Sequence, residues 1–169
     1  LGGEMGAAAD KVTMQSRMLN RSKGPAVHSK RVQADRRMYH SIMKETVEKQ
    51  KNLSLIQAEV VDFTVSDGRL RSVITKFGAE WNVKAAIICT GTYLRGKVIV
   101  GNVMYDSGPD GMLPAKGLES ALQREGISLM RFKTGTPPRV ARDSIDFSKM
   151  EVQLGDDYIK PFSSLTDED

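Results

Sequence analysis

The run Ala85-Ala86-Ile87-Ile88-Cys89-Thr90-Gly91-Thr92 constrains the chain more than any other stretch, because it is unbroken in its apolar character until a glycine stops it. Such a run is expected to be a strand buried on both faces. It would form the centre of the fold, with Cys89 as an inert core thiol. Ligands gather at the carboxyl ends of parallel strands, so Thr90, Gly91 and Thr92 become candidate cofactor contacts, and Gly91 lets the backbone approach a bound group with no side chain in the way. Thr-Gly also closes many apolar strands that bind nothing, and the run alone does not separate the two readings.

The elements around it follow from pattern and turn chemistry. Ala7 to Val12 reads as the end of a helix and Thr13 to Leu19 as a short strand, followed by a loop, Asn20-Arg21-Ser22-Lys23-Gly24-Pro25. A long helix is expected from Ala26 to Gln50, where Val27, Ala34, Met38, Ile42, Met43 and Val47 fall near the helical period. Leu53 to Val65 suggests two short strands meeting near Ala58-Glu59. Asp67-Gly68 is a hairpin signal, and Arg69 to Lys76 with Glu80 to Lys84 extends an antiparallel meander around a second turn at Phe77-Gly78-Ala79. Beyond the apolar run, Lys97 to Val100 reads as a strand, Met104 to Pro114 as a loop, Leu118 to Arg124 as a helix ended by Gly126, and Ile127 to Phe132 as a strand. The acidic tail has no clear period and is expected not to fold alone. Met14, Met18, Met38 and Met43 read as core filling.

Charge is unevenly spread. The chain of 169 residues carries 25 basic and 21 acidic side chains, net +4, yet Lys11 to Lys44 holds nine basic residues and one acid, Asp35. From Asp143 to Asp169 there are eight acids and two lysines. The basic segment reads either as a phosphate-binding surface or as a solvated helix face. Lys23-Gly24-Pro25 offers charge and free amides of the kind that hold phosphate. Thr134-Gly135-Thr136-Pro137-Pro138-Arg139 concentrates hydroxyls and a stiff proline pair in one turn, as at a substrate rim.

Other chemistries have no sequence support. There is no Gly-x-Gly-x-x-Gly after a strand, no P-loop, no Cys-x-x-Cys and no His-Glu-x-x-His. His28 and His40 are read as solvated, and Asp106, Asp110, Asp143 and Asp146 as loop acids without a visible base. Cys89 is the only cysteine, which excludes an intrachain disulfide and points to a reducing cytoplasmic setting. No 18-residue apolar span is present, and the expectation is of no membrane association. The chain starts at Leu1 without an initiator methionine and is read as an internal piece of a longer protein.

A helix, a strand, a meander and a buried strand closing in Thr-Gly is the order of the second half of an FAD/NAD(P)-binding Rossmann-like domain. In that layout Val60 lies beside the adenine. Leu1-Gly2-Gly3-Glu4-Met5, Arg17-Met18-Leu19-Asn20 through Lys23-Gly24-Pro25-Ala26-Val27, Arg31-Val32-Gln33-Ala34-Asp35, Gly91-Thr92-Tyr93-Leu94-Arg95-Gly96-Lys97 and Lys133 to Arg139 together resemble, in order, motifs of the glucose-inhibited division protein A family. The resemblance runs from Leu1 to about Phe147 and thins to weaker patterns in the tail.

That resemblance implies an α/β fold, incomplete here, with residues 1–134 belonging to an FAD-binding domain and 135–169 to the start of an inserted second domain. It implies an FAD enzyme that works with a GTPase partner, methylenetetrahydrofolate and NADH to add an aminomethyl or carboxymethylaminomethyl group to carbon 5 of the wobble uridine of tRNA, as a homodimer in the cytoplasm. Val60, Thr90, Gly91 and Thr92 would be flavin contacts. Lys23, Arg31 and Gln33 would belong to a basic substrate-binding element near the active site, and Lys133, Thr134, Thr136 and Arg139 to the passage into the inserted domain. His28 departs from a usual arginine and Ala115 from a usual serine, so no cofactor hydrogen bond is assigned to the Ala115 side chain. No catalytic residue and no metal site fall in this stretch, and the chain alone is expected to be inactive, to bind FAD weakly or not at all, and to self-associate through an uncovered sheet edge. The rivals are a folate- and FAD-dependent tRNA uridine methyltransferase of shared fold, and a cofactor-free RNA-binding module built on Lys11 to Lys44.

Overall fold

The computed structural model describes residues 3–135 and 137–167. Helices mix with small antiparallel sheets, an α/β composition. The chain divides into two compact units, Leu1–Leu55 with Pro138–Asp169, and Ile56–Pro137.

In the first unit, α1 (Glu4–Lys11) leads into β1 (Thr13–Leu19), which pairs antiparallel with β2 (Ser29–Ala34), and α2 (Arg36–Lys49) follows. The single helix expected from Ala26 to Gln50 is therefore two elements. Asp35 separates them: its carboxylate accepts from the Met38 amide at 2.9 Å, capping the start of α2. Upstream of that cap the alternation of exposed and half-buried residues from Ser29 to Ala34 has period two, and pairing with β1 overrides the helical spacing of the few apolar residues. Within α2, Tyr39, Ile42, Met43, Thr46 and Val47 form the half-buried stripe, while Ala8 of α1, Val12 at its end and Ser16 of β1 are buried. Met18 and Met43 are half-buried as core filling requires, but Met14 and Met38 are 65% and 55% exposed. Met14 stands at an irregularity in the β1–β2 register, between Thr13 and Gln15.

The acidic tail is not free of this unit. The Asp156 amide donates to the Ser16 carbonyl at 2.7 Å along the edge of β1 away from β2, and its carboxylate accepts from the Met18 amide at 2.7 Å and pairs with Arg21 at 2.6 Å. Further on, Asp10 accepts from the amides of Phe162 and Ser163 and from the Thr166 hydroxyl at 2.8, 3.0 and 2.8 Å. Burial pushes the Asp10 carboxyl up, but those three donors and the charge of Lys30 outweigh it and hold it below the usual range. Lys30 donates to the Pro161 carbonyl at 3.1 Å and stands 5.1 Å from the centre of the Phe162 ring.

The second unit is built on β3 (Val60–Ser66), β4 (Arg69–Thr75) and β5 (Glu80–Asn82), the expected meander. Asp67 and Gly68 both take positive φ, 53° and 68°, as a two-residue type I′ hairpin requires. β6 (Lys97–Val100) and β7 (Val103–Asp106) form a second hairpin, so part of the expected loop from Met104 is strand. The third helix, α3 (Leu118–Arg124), ends as foreseen: Gly126 has φ 81° and the Ile127 amide donates back to the Leu122 carbonyl. It packs on β3 with Leu118, Ala121 and Leu122 buried, and Arg124 reaches Asp62 at 2.7 Å and the Phe63 carbonyl at 2.9 Å.

Three expected strands are absent among the described residues. Leu53 to Glu59 has no regular structure, Ala85 to Thr90 has none, and neither has Ile127 to Phe132. The apolar run is therefore not a buried centre: Ile87 is 91% exposed and Cys89 is an exposed free thiol. A buried parallel strand needs hydrogen-bonded neighbours on both sides, and among the described residues none lies beside this run.

Candidate functional site

The basic segment is presented by the β1–β2 hairpin rather than by a long helix. Its register sets Gln15 opposite Gln33, Arg17 opposite Arg31 and Leu19 opposite Ser29, all on one face by the alternation of a strand. The other face carries Ser16, Met18, Lys30 and Val32, and Lys30 there is engaged by Pro161 and Phe162. On the Arg17 and Arg31 face, Arg31 is exposed and Arg17 half-buried, and the tail reaches that face at Gln15, which donates to the Gln153 carbonyl at 3.1 Å. Lys23 lies in the connecting loop, in a short 3₁₀ turn between Asn20 (φ 60°) and Gly24 (φ 88°). That loop is closed locally by Asn20 donating to the Val27 carbonyl at 3.1 Å and by the His28 ring at 3.3 Å from the Arg21 carbonyl. Lys23, Arg31 and Gln33 are all exposed, and among the described residues none has a hydrogen-bonding or ionic side-chain partner.

In the second unit, Thr90, Gly91 and Thr92 form a turn in which the Tyr93 amide donates to the Thr90 carbonyl at 3.0 Å and Gly91 takes φ 52°. The turn feeds Tyr93 to Arg95, which pair with Ala115: the Ala115 amide donates to the Tyr93 carbonyl at 3.0 Å and the Arg95 amide to the Ala115 carbonyl at 2.9 Å. Arg95 is the hinge of this arrangement. Its side chain meets the buried Glu119 at 3.5 Å, and its carbonyl accepts from Arg131 at 3.0 Å. Glu119 in turn accepts from the Gly117 amide at 2.8 Å. Gly117, at φ 111°, approaches Val61 so closely that an added Cβ would lie 3.0 Å from the Val61 Cβ. Val60 begins β3, half-buried and paired with Thr75. Val60 and the Thr90 to Thr92 turn thus belong to one unit.

The remaining predicted site residues are dispersed. Lys133 and Thr134 are exposed in the second unit without regular structure, Arg139 is exposed in the first, and Thr136 lies outside the described residues. Among the described residues no group of histidine, cysteine or carboxylate side chains is arranged to hold a metal. Sequence reasoning passed over Arg17, Arg95 and Glu119. Arg17 was legible in principle, since a strand at Thr13 to Leu19 paired to a strand at Ser29 to Ala34 puts it beside Arg31. Arg95 and Glu119 meet only through tertiary packing.

The family model described as Glucose inhibited division protein A matches residues 1–169. The chain belongs to this family. Among its relatives, the tRNA uridine 5-carboxymethylaminomethyl modification enzyme MnmG of Alkaliphilus metalliredigens is 52% identical over 99% of the chain and 26% of that relative. The protein of the same name from Finegoldia magna is 56% identical over 99% of the chain and 27% of that relative. The solved structure of Aquifex aeolicus GidA in its form I crystal superposes with a TM-score of 0.87 at 44% identity, covering 98% of this chain and 28% of that one. This member of the glucose-inhibited division protein A family therefore spans about a quarter of the length of the curated relatives it matches.

Proposed function

We infer that the chain is part of an FAD-dependent enzyme that, with a GTPase partner, adds an aminomethyl or carboxymethylaminomethyl group to carbon 5 of the wobble uridine of tRNA, using methylenetetrahydrofolate and NADH. The observation that carries this reading is identity above one half, across nearly the whole chain, to relatives named for tRNA uridine modification. A cytoplasmic homodimer is the form proposed for the whole protein. Residues 1–134 are assigned to its flavin-binding domain, as the second half of a Rossmann-like fold, and 135–169 to the start of an inserted domain.

Bound FAD would supply the electron carrier. The residues present fit one side of such a group. Ala85 to Cys89 leave their backbone amides and carbonyls without partners among the described residues, in the manner of a strand whose neighbours belong to the rest of the protein. Thr90 and Thr92 add hydroxyls on either side of Gly91, around which no atom stands within 4 Å of an added Cβ. Thr90 to Thr92 and Val60 would line the flavin, with Arg95 and Glu119 holding the turn in place. Lys23, Arg31, Gln33, Lys133, Thr134, Thr136 and Arg139 would face the tRNA, the first three through charge and amide donors on the hairpin and its loop.

Flavin fluorescence titration tests the reading, using this chain beside a version extended upstream to the glycine-rich strand of the family. The extended chain is expected to bind FAD and this chain to bind weakly or not at all. If neither binds, the flavin reading falls, and salt-dependent tRNA binding would then favour a cofactor-free RNA-binding module.

A further inference from the structure

We propose that Arg17 and Arg31 form a two-guanidinium clamp for a single backbone phosphate of RNA, with Arg17 as a binding residue. The inference rests on the tRNA reading above and assigns the hairpin face a defined ligand group.

The register places the two arginines directly opposite one another on one face of the hairpin, Arg31 exposed and Arg17 half-buried. Side chains so placed start from Cβ atoms about 5 Å apart, and like charges in that position destabilise a strand pair. Three other basic residues of the same unit are paired with acids. Lys44 pairs with Glu48 at 2.7 Å, Arg21 with Asp156 at 2.6 Å, and Lys49 with Glu45. Neither Arg17 nor Arg31 has a hydrogen-bonding or ionic partner among the described residues. Two forked donors to which no described acidic side chain is paired are complementary to one phosphodiester, whose two free oxygens accept from both guanidiniums. Gln33 stands one step along the same face, exposed, and extends it with an amide that carries no charge, while Gln15 opposite it is held by the Gln153 carbonyl. The acidic tail is fastened to the edge of β1 and to the Lys30 face, and where it touches the arginine face it offers Gln15 a backbone carbonyl, placing no carboxylate on Arg17 or Arg31.

The test is binding of an anticodon stem-loop RNA to the 169-residue chain across a salt series, for the wild type, Arg17→Gln, Arg31→Gln, the double variant, and Lys44→Gln as the compensated control. Each single arginine variant is expected to weaken binding roughly five- to tenfold and to flatten the salt dependence by about one unit of log–log slope. The double variant should be little worse than either single, because one phosphate is lost in every case, and Lys44→Gln should bind as the wild type does. Excess FAD, which carries the alternative phosphates, should leave the RNA bound. Hydrogen exchange at the paired amides of β1 and β2 should be no faster in Arg17→Gln, since a repulsion has been removed. Unchanged RNA affinity in Arg17→Gln would overturn the clamp, as would fully additive losses, displacement of RNA by FAD, or faster exchange in the hairpin. If the wild-type chain bound no RNA at any salt concentration, the tRNA reading would fall and the clamp with it; if it bound and the arginine variants matched it, only the clamp would fall.

Discussion

The meander from Val60 to Asn82 and the run from Ala85 to Thr90 are neighbours in the chain and the run is the more apolar of the two, yet the meander is a sheet and the run has no regular structure. The difference lies in where each finds a partner. In the meander the next strand begins two residues after the last ends, across Asp67-Gly68, so the entropy of closure is small and the ladder forms from local sequence. Its second turn is held by the Thr75 hydroxyl, which accepts from the Ala79 amide at 3.0 Å, with Gly78 at φ 84°. The run after it has no turn that folds it back on a partner. Hydrophobicity marks a segment as fit for burial; a strand exists only where another backbone takes up its hydrogen bonds.

The largest expected effect comes from removing the support that the meander has and the run lacks. Leu122 on α3 is 5% exposed and packs in the small cluster with Leu118 and Ala121. Leu122→Ala should destabilise the second unit by about 2–3 kcal/mol, the loss of a buried side chain plus the cavity left behind. Trp81 is the only tryptophan and lies in β5, opposite Val73, so its fluorescence during urea unfolding reports this unit. An unchanged midpoint would mean that the meander stands without α3.

An intermediate effect should appear on acidification. Arg124 bonded to Asp62 holds that carboxyl below the usual range against partial desolvation, with help from the Phe63 amide. In the first unit Asp10 is likewise lowered, its amide and hydroxyl donors prevailing over burial. A carboxylate whose folded value is depressed contributes stability that is present above the ordinary aspartate range and lost as pH falls through the folded value. Both ties should therefore hold at neutral pH and weaken below about pH 4. Asp10→Asn should imitate acid in one unit, raising amide exchange at Phe162 and Ser163 several-fold at neutral pH while Trp81 fluorescence is unmoved. Asp62→Asn should do the converse, loosening α3 from β3 and shifting the Trp81 transition. Acid loosening of the tail in the Asp10→Asn variant equal to that of the wild type would show that another group is responsible.

What was legible in the sequence follows the same division. The Asp67-Gly68 hairpin, the second turn, α3 with its Gly126 ending, and the strand at Thr13 to Leu19 all carry their instructions within a few residues, and all are present. The strand from Ser29 to Ala34 was hidden because its partner is β1, and because apolar residues at Val27, Ala34 and Met38 can be fitted to a helical period. Only the Asp35 cap betrays the break. The tail's attachment was illegible for a plainer reason: Asp10 and Asp156 act on amides more than 130 residues away in sequence. Of the candidate site, Val60 and the turn from Thr90 to Thr92 fall in one unit, whereas the expected substrate residues divide between both.

The smallest effect on stability should come from the segment that looked most important. Ile87 is 91% exposed, so Ile87→Ser removes little buried area in this chain and should shift the Trp81 unfolding midpoint by less than about 0.5 kcal/mol. The same change removes an exposed apolar side chain from a run that also bears Ile88 and Cys89, and should reduce self-association measured by sedimentation. Placed in the extended protein of the proposed function, where neighbouring strands would pair with this run, Ile87→Ser should instead be destabilising by about 2 kcal/mol or more, as for a buried aliphatic side chain. A single substitution that is neutral in one context and damaging in the other would measure directly how much of this strand belongs to its partners. Equal and small effects in both would place the run at the surface of the whole protein, and the assignment of Thr90 to Thr92 to a flavin at its end would lose its structural basis.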